Sequence, residues 1–155
     1  MLSPKWHYFF GTGLGFGFSP MAPGTFGTLS GLIVALCSVW VFGIAGLLFF
    51  IAVSVWGNYY FYDECEKRFG ADPGAYVLDE WVGIGITLIP VVSWNVDLYV
   101  GSALAFGLFR LFDVSKILGI DYLQSYPKAH GVLFDDILAG IYSAICLILL
   151  IFMVL

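Results

Sequence analysis

The chain has 155 residues, 61% of them hydrophobic and only 11% charged, with a mean hydropathy of +0.95 and a formal net charge of −5. Soluble domains carry about 25% charged residues, so too few polar side chains are present to cover a water-exposed surface. The acidic balance gives no footing for a nucleic-acid partner, and the dispersed Cys37, Cys65 and Cys146 make no disulfide framework.

No Asp, Glu, Lys or Arg occurs between Lys5 and Asp63, nor from Ile137 to Leu155. Such runs are transmembrane candidates. The first is too long for a signal peptide, so residues 1–155 are read as one mature integral membrane domain. Within it, Gly11 to Gly31 carries seven glycines and two prolines in twenty-one positions. That is poor helix material, so an irregular or re-entrant loop is expected, entering a helix near Thr25. The 38 residues from Thr25 to Tyr62 would reach about 57 Å as one helix. A bilayer core is about 30 Å, so they predict two spans with a turn near Gly43 or Gly46. Asp63 to Glu80 is polar and contains an Asp72-Pro73-Gly74 turn. Apolar pieces at 81–96 and 98–112 are read either as two short spans or as a re-entrant pair. A polar connection from Arg110 to Asp136 leads to a last helix from about Asp135 to Leu155. The expected fold is all-α, a polytopic membrane bundle of about five hydrophobic segments.

All six Lys and Arg residues fall on one side of this topology, or at the helix end facing it, and of the eleven acids only Asp97 falls on the other. The positive-inside rule makes that side cytoplasmic. The expectation is a multi-pass protein of the cytoplasmic (inner) membrane whose chemistry faces the cytoplasm.

Three polar clusters carry the chemistry. Asp79-Glu80 opens the third apolar segment, with Gly83 and Thr87 on the face of Glu80. Asp135-Asp136 opens the last helix, with Asp136, Gly140 and Ala144 on one stripe that lets a second helix approach. For both pairs, helix capping by acidic residues is the simpler reading. Ligation is the other, because a charge near hydrocarbon is costly and usually has a partner or function. Arg110, Asp113 and Lys116 follow at three-residue steps, as a structural ion pair or as a phosphate clamp beside a cation site. Five carboxylates gathered on one membrane face repel unless a cation sits among them, and hard oxygen donors suit Mg²⁺ or Mn²⁺. Ser19 and Thr25, just before and within the expected helix start, are caps or anion contacts. His7 and His130 are read as isolated surface residues.

These segments resemble the phosphatidylglycerophosphatase A family. The blocks are GFGFSPMAPGTFGTL at Gly15–Leu29, with Thr28 where the family usually has Ser; VLDEWVG at Val77–Gly83; and FRLFD at Phe109–Asp113 through GVLFDDILAG at Gly131–Gly140. The resemblance implies an Mg²⁺-dependent enzyme that removes the terminal phosphate of phosphatidylglycerophosphate, a phospholipid in the membrane. It implies Asp79, Glu80, Asp135 and Asp136 at the metal and Glu80, Asp136 and Asp113 in catalysis. It also implies Arg110 and Lys116 on the substrate phosphate, with Ser19 and Thr25 at the edge of the site. The sequence has no Cys-x5-Arg loop and no DxDxT run, which leaves metal-assisted attack of water on phosphorus. The rival readings are a small transporter or proton-coupled carrier, which needs acids at the membrane midplane, and a non-catalytic assembly partner.

Overall fold

The computed structural model describes residues 3–70, 73–124, 126–127 and 129–154. Asp72 of the expected turn and Lys128 of the basic set lie outside the described residues. The described residues form helices and no strand: α1 (Pro4–Gly11), a single 3₁₀ turn at Phe16–Phe18, α2 (Pro23–Phe69), α3 (Leu78–Ser93), α4 (Leu98–Ser115), α5 (Ile120–Gln124) and α6 (Ala129–Val154).

The helix α1 was not expected. Pro4 suits its first position, where no N–H partner is needed, and its aromatic residues give it a docking face. Tyr8 packs on Phe69 and Phe10 stacks on Phe61, both near the end of α2. His7 is consequently not on the surface: it is buried and stacks on Tyr60. The Gly-rich stretch that follows is irregular, as expected. Gly13, Leu14 and Gly15 all take positive φ, which L side chains disfavour and glycine tolerates. The chain enters α2 at Pro23, two residues before Thr25.

Although α2 runs for 47 residues, it is not straight. Trp81 donates a hydrogen bond to Ser30 Oγ at 2.9 Å and its ring stacks on Phe50 at 5.7 Å. Residues twenty apart on one straight helix would lie about 30 Å from each other, so one indole cannot touch both. The chain therefore folds back between them, and the break is at Gly43, with φ 60 and ψ −142. Gly46 then lies against the Ser38 carbonyl, an approach that only a residue without Cβ permits. The turn expected near Gly43 or Gly46 uses both glycines.

Among the described residues, three helices are long and apolar enough to cross a membrane: Pro23–Phe69, which is this hairpin, Leu98–Ser115 and Ala129–Met153. The helix α3 has only 16 residues and is not among them, so the expected count of about five segments is not reproduced by length and composition. It is apolar on all sides for a different reason: α2, α4 and α6 surround it. Val82, Ile84, Thr87 and Leu88 on it are fully buried, as a helix hydrophobic all round should be. Asp97, which divides the two apolar pieces in sequence, caps α4 by accepting from the Tyr99 and Val100 N–H groups.

A second correction concerns α6, which begins at Ala129, six residues before Asp135. The paired acids therefore sit in its interior rather than at its start.

Candidate active site

Two glycines set the geometry. A Cβ on Gly140 of α6 would lie 2.6 Å from the Gly83 carbonyl oxygen, and one on Gly83 of α3 would lie 2.9 Å from the Asp136 carbonyl oxygen. The two backbones touch here, as small-residue stripes allow. Thr87 reinforces the crossing, donating to Gly83 O at 2.9 Å and reaching Gly140 O at 3.4 Å. Glu80 lies one turn before Gly83 and Asp136 one turn before Gly140, so the crossing brings their carboxylates together.

Asp79, Glu80 and Asp136 each offer an oxygen within 4.8 Å of the others. All three are buried, and Asp79 Oδ1 and Glu80 Oε2 have no hydrogen-bond partner among the described residues. Buried carboxylate oxygens are expensive to leave unpaired. Asp79 and Glu80 are the second and third residues of α3, where the helix dipole favours negative charge, so capping remains open to them. It is closed to Asp135 and Asp136, the seventh and eighth residues of α6.

The other two acids belong to an ion chain. Arg110 pairs with Asp113. Lys116 Nζ lies 2.8 Å from Asp113 Oδ1 and 2.7 Å from Asp135 Oδ2. Burial works against the Lys116 ammonium, but Asp113, Asp136 and Asp135 outweigh it and raise its pKa further above the ordinary lysine value. It stays charged at any physiological pH. Lys116 also ends α4 in the left-handed conformation, which turns its side chain back over the last turn toward α6.

The acids and Lys116 line a cavity of about 130 Å³, together with Pro73, Gly74, Tyr76 and Val132. Arg110 does not line it. Its Nη1 reaches Thr28 Oγ1 at 3.4 Å, Thr28 donates to Gly24 O at 2.8 Å, and Arg110 Nε is buried without a partner among the described residues. Gly24 is packed so closely that a Cβ there would sit 2.6 Å from Glu80 Oε1 and 3.2 Å from Arg110 Nη1.

Of the expected residues, Asp79, Glu80, Asp113, Lys116, Asp135 and Asp136 therefore meet at one cavity, and Arg110 stands directly behind it. Ser19 and Thr25 do not line it. Ser19 donates to Met21 O instead, and lies on an open apolar shelf with Leu14, Phe16, Phe18 and Phe26. The N-terminal contributors that reach the acids and Arg110 are Gly24 and Thr28. The available signal was membership of the Gly15–Leu29 block, which both share with Ser19 and Thr25. Tyr76, also missed, carries no motif; it is placed by the loop before α3.

Comparison with known proteins identifies the family. The chain matches the family described as Phosphatidylglycerophosphatase A over residues 9–151. A Bacteroides thetaiotaomicron protein carrying the provisional name phosphatidylinositol-3-phosphatase is 38% identical over 139 residues, covering 87% of each chain. Phosphatidylglycerophosphatase A of Haemophilus influenzae is 36% identical, covering 86% of this chain and 81% of the relative. The Escherichia coli protein of that name is 30% identical, covering 92% and 81%. No solved structure matches with significance. The matched span and these relatives show that this chain belongs to the phosphatidylglycerophosphatase A family and is a phosphatase.

Proposed function

We propose that the chain hydrolyses the terminal phosphomonoester of phosphatidylglycerophosphate, releasing phosphatidylglycerol and inorganic phosphate, with Mg²⁺ held by Asp79, Glu80 and Asp136. The observation that carries this reading is the cluster of three buried carboxylates, two with an unpartnered oxygen, in a cavity that also presents the Lys116 ammonium. The donors are all carboxylate oxygens, which suit a hard divalent cation that also takes phosphate oxygens as ligands. Asp135 is bonded to Lys116, and borders the cluster without belonging to it.

When bound, such an ion polarises a phosphoryl oxygen and makes a nearby water more acidic. The chain's own residues do the rest. Water forms the new P–O bond as the ester P–O bond breaks, and the water's proton passes to a carboxylate oxygen of Glu80 or Asp136. The leaving glycerol oxygen gains a proton in turn. Lys116 faces the cavity and balances charge on the phosphoryl oxygens. Asp113 was a candidate catalytic acid, but two cations hold it, so its role here is to aim Lys116 and Arg110.

The name of the Bacteroides relative supports a second substrate, a phosphoinositide with a ring phosphate. Phosphate release by the purified protein from phosphatidylglycerophosphate and from phosphatidylinositol 3-phosphate, in matched micelles, separates the two. The expected result is faster turnover of the glycerol phosphate. A preference for the inositol lipid would overturn the substrate assignment and leave the site intact.

The cavity lies at the end of the bundle that carries α1, the 73–77 segment, the end of α4 and the start of α6. By the basic-residue bias this end faces the cytoplasm. Gly74 is exposed there and Tyr99 at the opposite end. In an otherwise cysteine-free protein, Gly74→Cys should resist an impermeant thiol reagent in intact cells while Tyr99→Cys reacts. The reverse pattern would invert the orientation.

A further inference from the structure

One buried amide has no role in the site as described so far. Asn58, on the second arm of α2, is 0% exposed, and neither its Nδ2 nor its Oδ1 has a hydrogen-bond partner among the described residues. An amide stranded in this way is less favourable than an apolar side chain of similar size. Buried polar groups in folded proteins are met by protein atoms, by ordered water or by a ligand.

Its neighbours place it behind the acid cluster. Gly57, just before it, lies against the Leu78 side chain at the start of α3. Tyr59, just after it, is hydrogen-bonded to His130 of α6 at 3.1 Å. Tyr76, which lines the cavity, donates its hydroxyl to the Asn58 carbonyl at 2.9 Å. Asn58 thus sits where α2 meets the first turns of α3 and α6. Next to Leu78 in α3 is Asp79, whose Oδ1 is also buried and unpartnered. One helix junction therefore encloses a donor without an acceptor and an acceptor without a donor. Both atoms are buried and neither has a partner among the described residues; buried water is the usual partner of such groups.

We infer that Asn58 is a positioning residue of the active site: its Nδ2 donates to a buried water, which donates to Asp79 Oδ1 and fixes that carboxylate for the cluster. The other oxygen of Asp79 is left to face Glu80 and Asp136. Ligating carboxylates are commonly held by such outer partners, whose loss lowers metal affinity about 10–100-fold. The inference rests on the reading of Asp79, Glu80 and Asp136 as a metal cluster, and its test separates the two.

The test is Mn²⁺ binding to detergent-solubilised protein, followed by the paramagnetic resonance of free Mn²⁺, with thermal unfolding measured without divalent cation. Asn58→Leu removes the donor and fills the space of the water. It should raise the Kd for Mn²⁺ about 10–100-fold with a Tm no lower than wild type. Asn58→Ser keeps a hydroxyl and room for water, and should fall between the two. A Leu variant binding Mn²⁺ as tightly as wild type would overturn the inference, and so would Leu and Ser variants impaired equally. If the Leu variant does not fold, the Ser variant decides: a weaker Kd at unchanged Tm supports the role, and an unchanged Kd refutes it. Wild-type protein that binds no Mn²⁺ defeats the metal reading itself, and this inference with it.

Discussion

Asp136→Asn and Glu80→Gln should each lower phosphate release by about 10²–10⁴-fold, the range typical of lost proton transfer by a positioned side chain. The amide keeps the size and most of the shape of the acid but supplies neither the charge nor the base. For Asp136 no capping role competes, because the residue lies two turns inside α6. For Glu80, in the first turn of α3, capping alone predicts a small effect, since the dipole contributes only about 0.3–1 kcal/mol. Stability supplies an independent sign. Three carboxylates crowded together and shielded from water repel one another, so neutralising one should leave the cation-free protein as stable as wild type or more so. Thermal unfolding with and without Mg²⁺ reads this directly: the variants should gain less from the cation than wild type does. A variant that is less stable without cation and still turns over at the normal rate would show a structural role instead.

Lys116→Met should cost about 10²–10³-fold in turnover, the scale set by removal of one preorganised donor to a developing oxyanion. It should also lower stability, because Asp113 and Asp135 would both lose a bonded cation and truncating one side of a buried pair leaves the other uncompensated. The Lys116 side chain is 27% exposed, so water relieves part of that loss. Lys116→Arg keeps the charge and both pairings within reach, and should recover stability more fully than turnover, since a planar guanidinium does not replace a compact ammonium in a small cavity. Steady-state rates and unfolding curves for the two variants test this. Equal recovery of both properties by arginine would reduce Lys116 to a structural ion pair.

Much of this site is legible in the sequence because its parts are local. Paired acids beside apolar runs, the Glu80-Gly83-Thr87 and Asp136-Gly140 stripes and the three-residue steps from Arg110 to Lys116 are all patterns within one helix. The break at Gly43 is legible too, since 38 uncharged or apolar residues cannot cross a membrane once. What the sequence hides is either long-range or a matter of boundaries. The start of α6 was misplaced because Asp135-Asp136 resembles an acidic cap, whereas the helix starts soon after Pro127. Thr28 and Gly24 reach Arg110 and Glu80 only because α2, α3 and α4 converge. Local spacing cannot rank them above Ser19 and Thr25. The shortness of α3 misled for a similar reason: its apolar surface is covered by neighbouring helices, a fact that no window of its own residues contains. The carrier reading gives way to the family assignment, since the matched family and its named relatives are phosphatases.

The most direct test is phosphate release from phosphatidylglycerophosphate by purified protein after exhaustive EDTA treatment, followed by titration with Mg²⁺. Activity should disappear on chelation and return with Mg²⁺ in the wild type, and fail to return in Asp136→Asn. Full activity after chelation would contradict the account, because the three clustered carboxylates would then have no cation to hold and the attack on phosphorus would have to proceed without one.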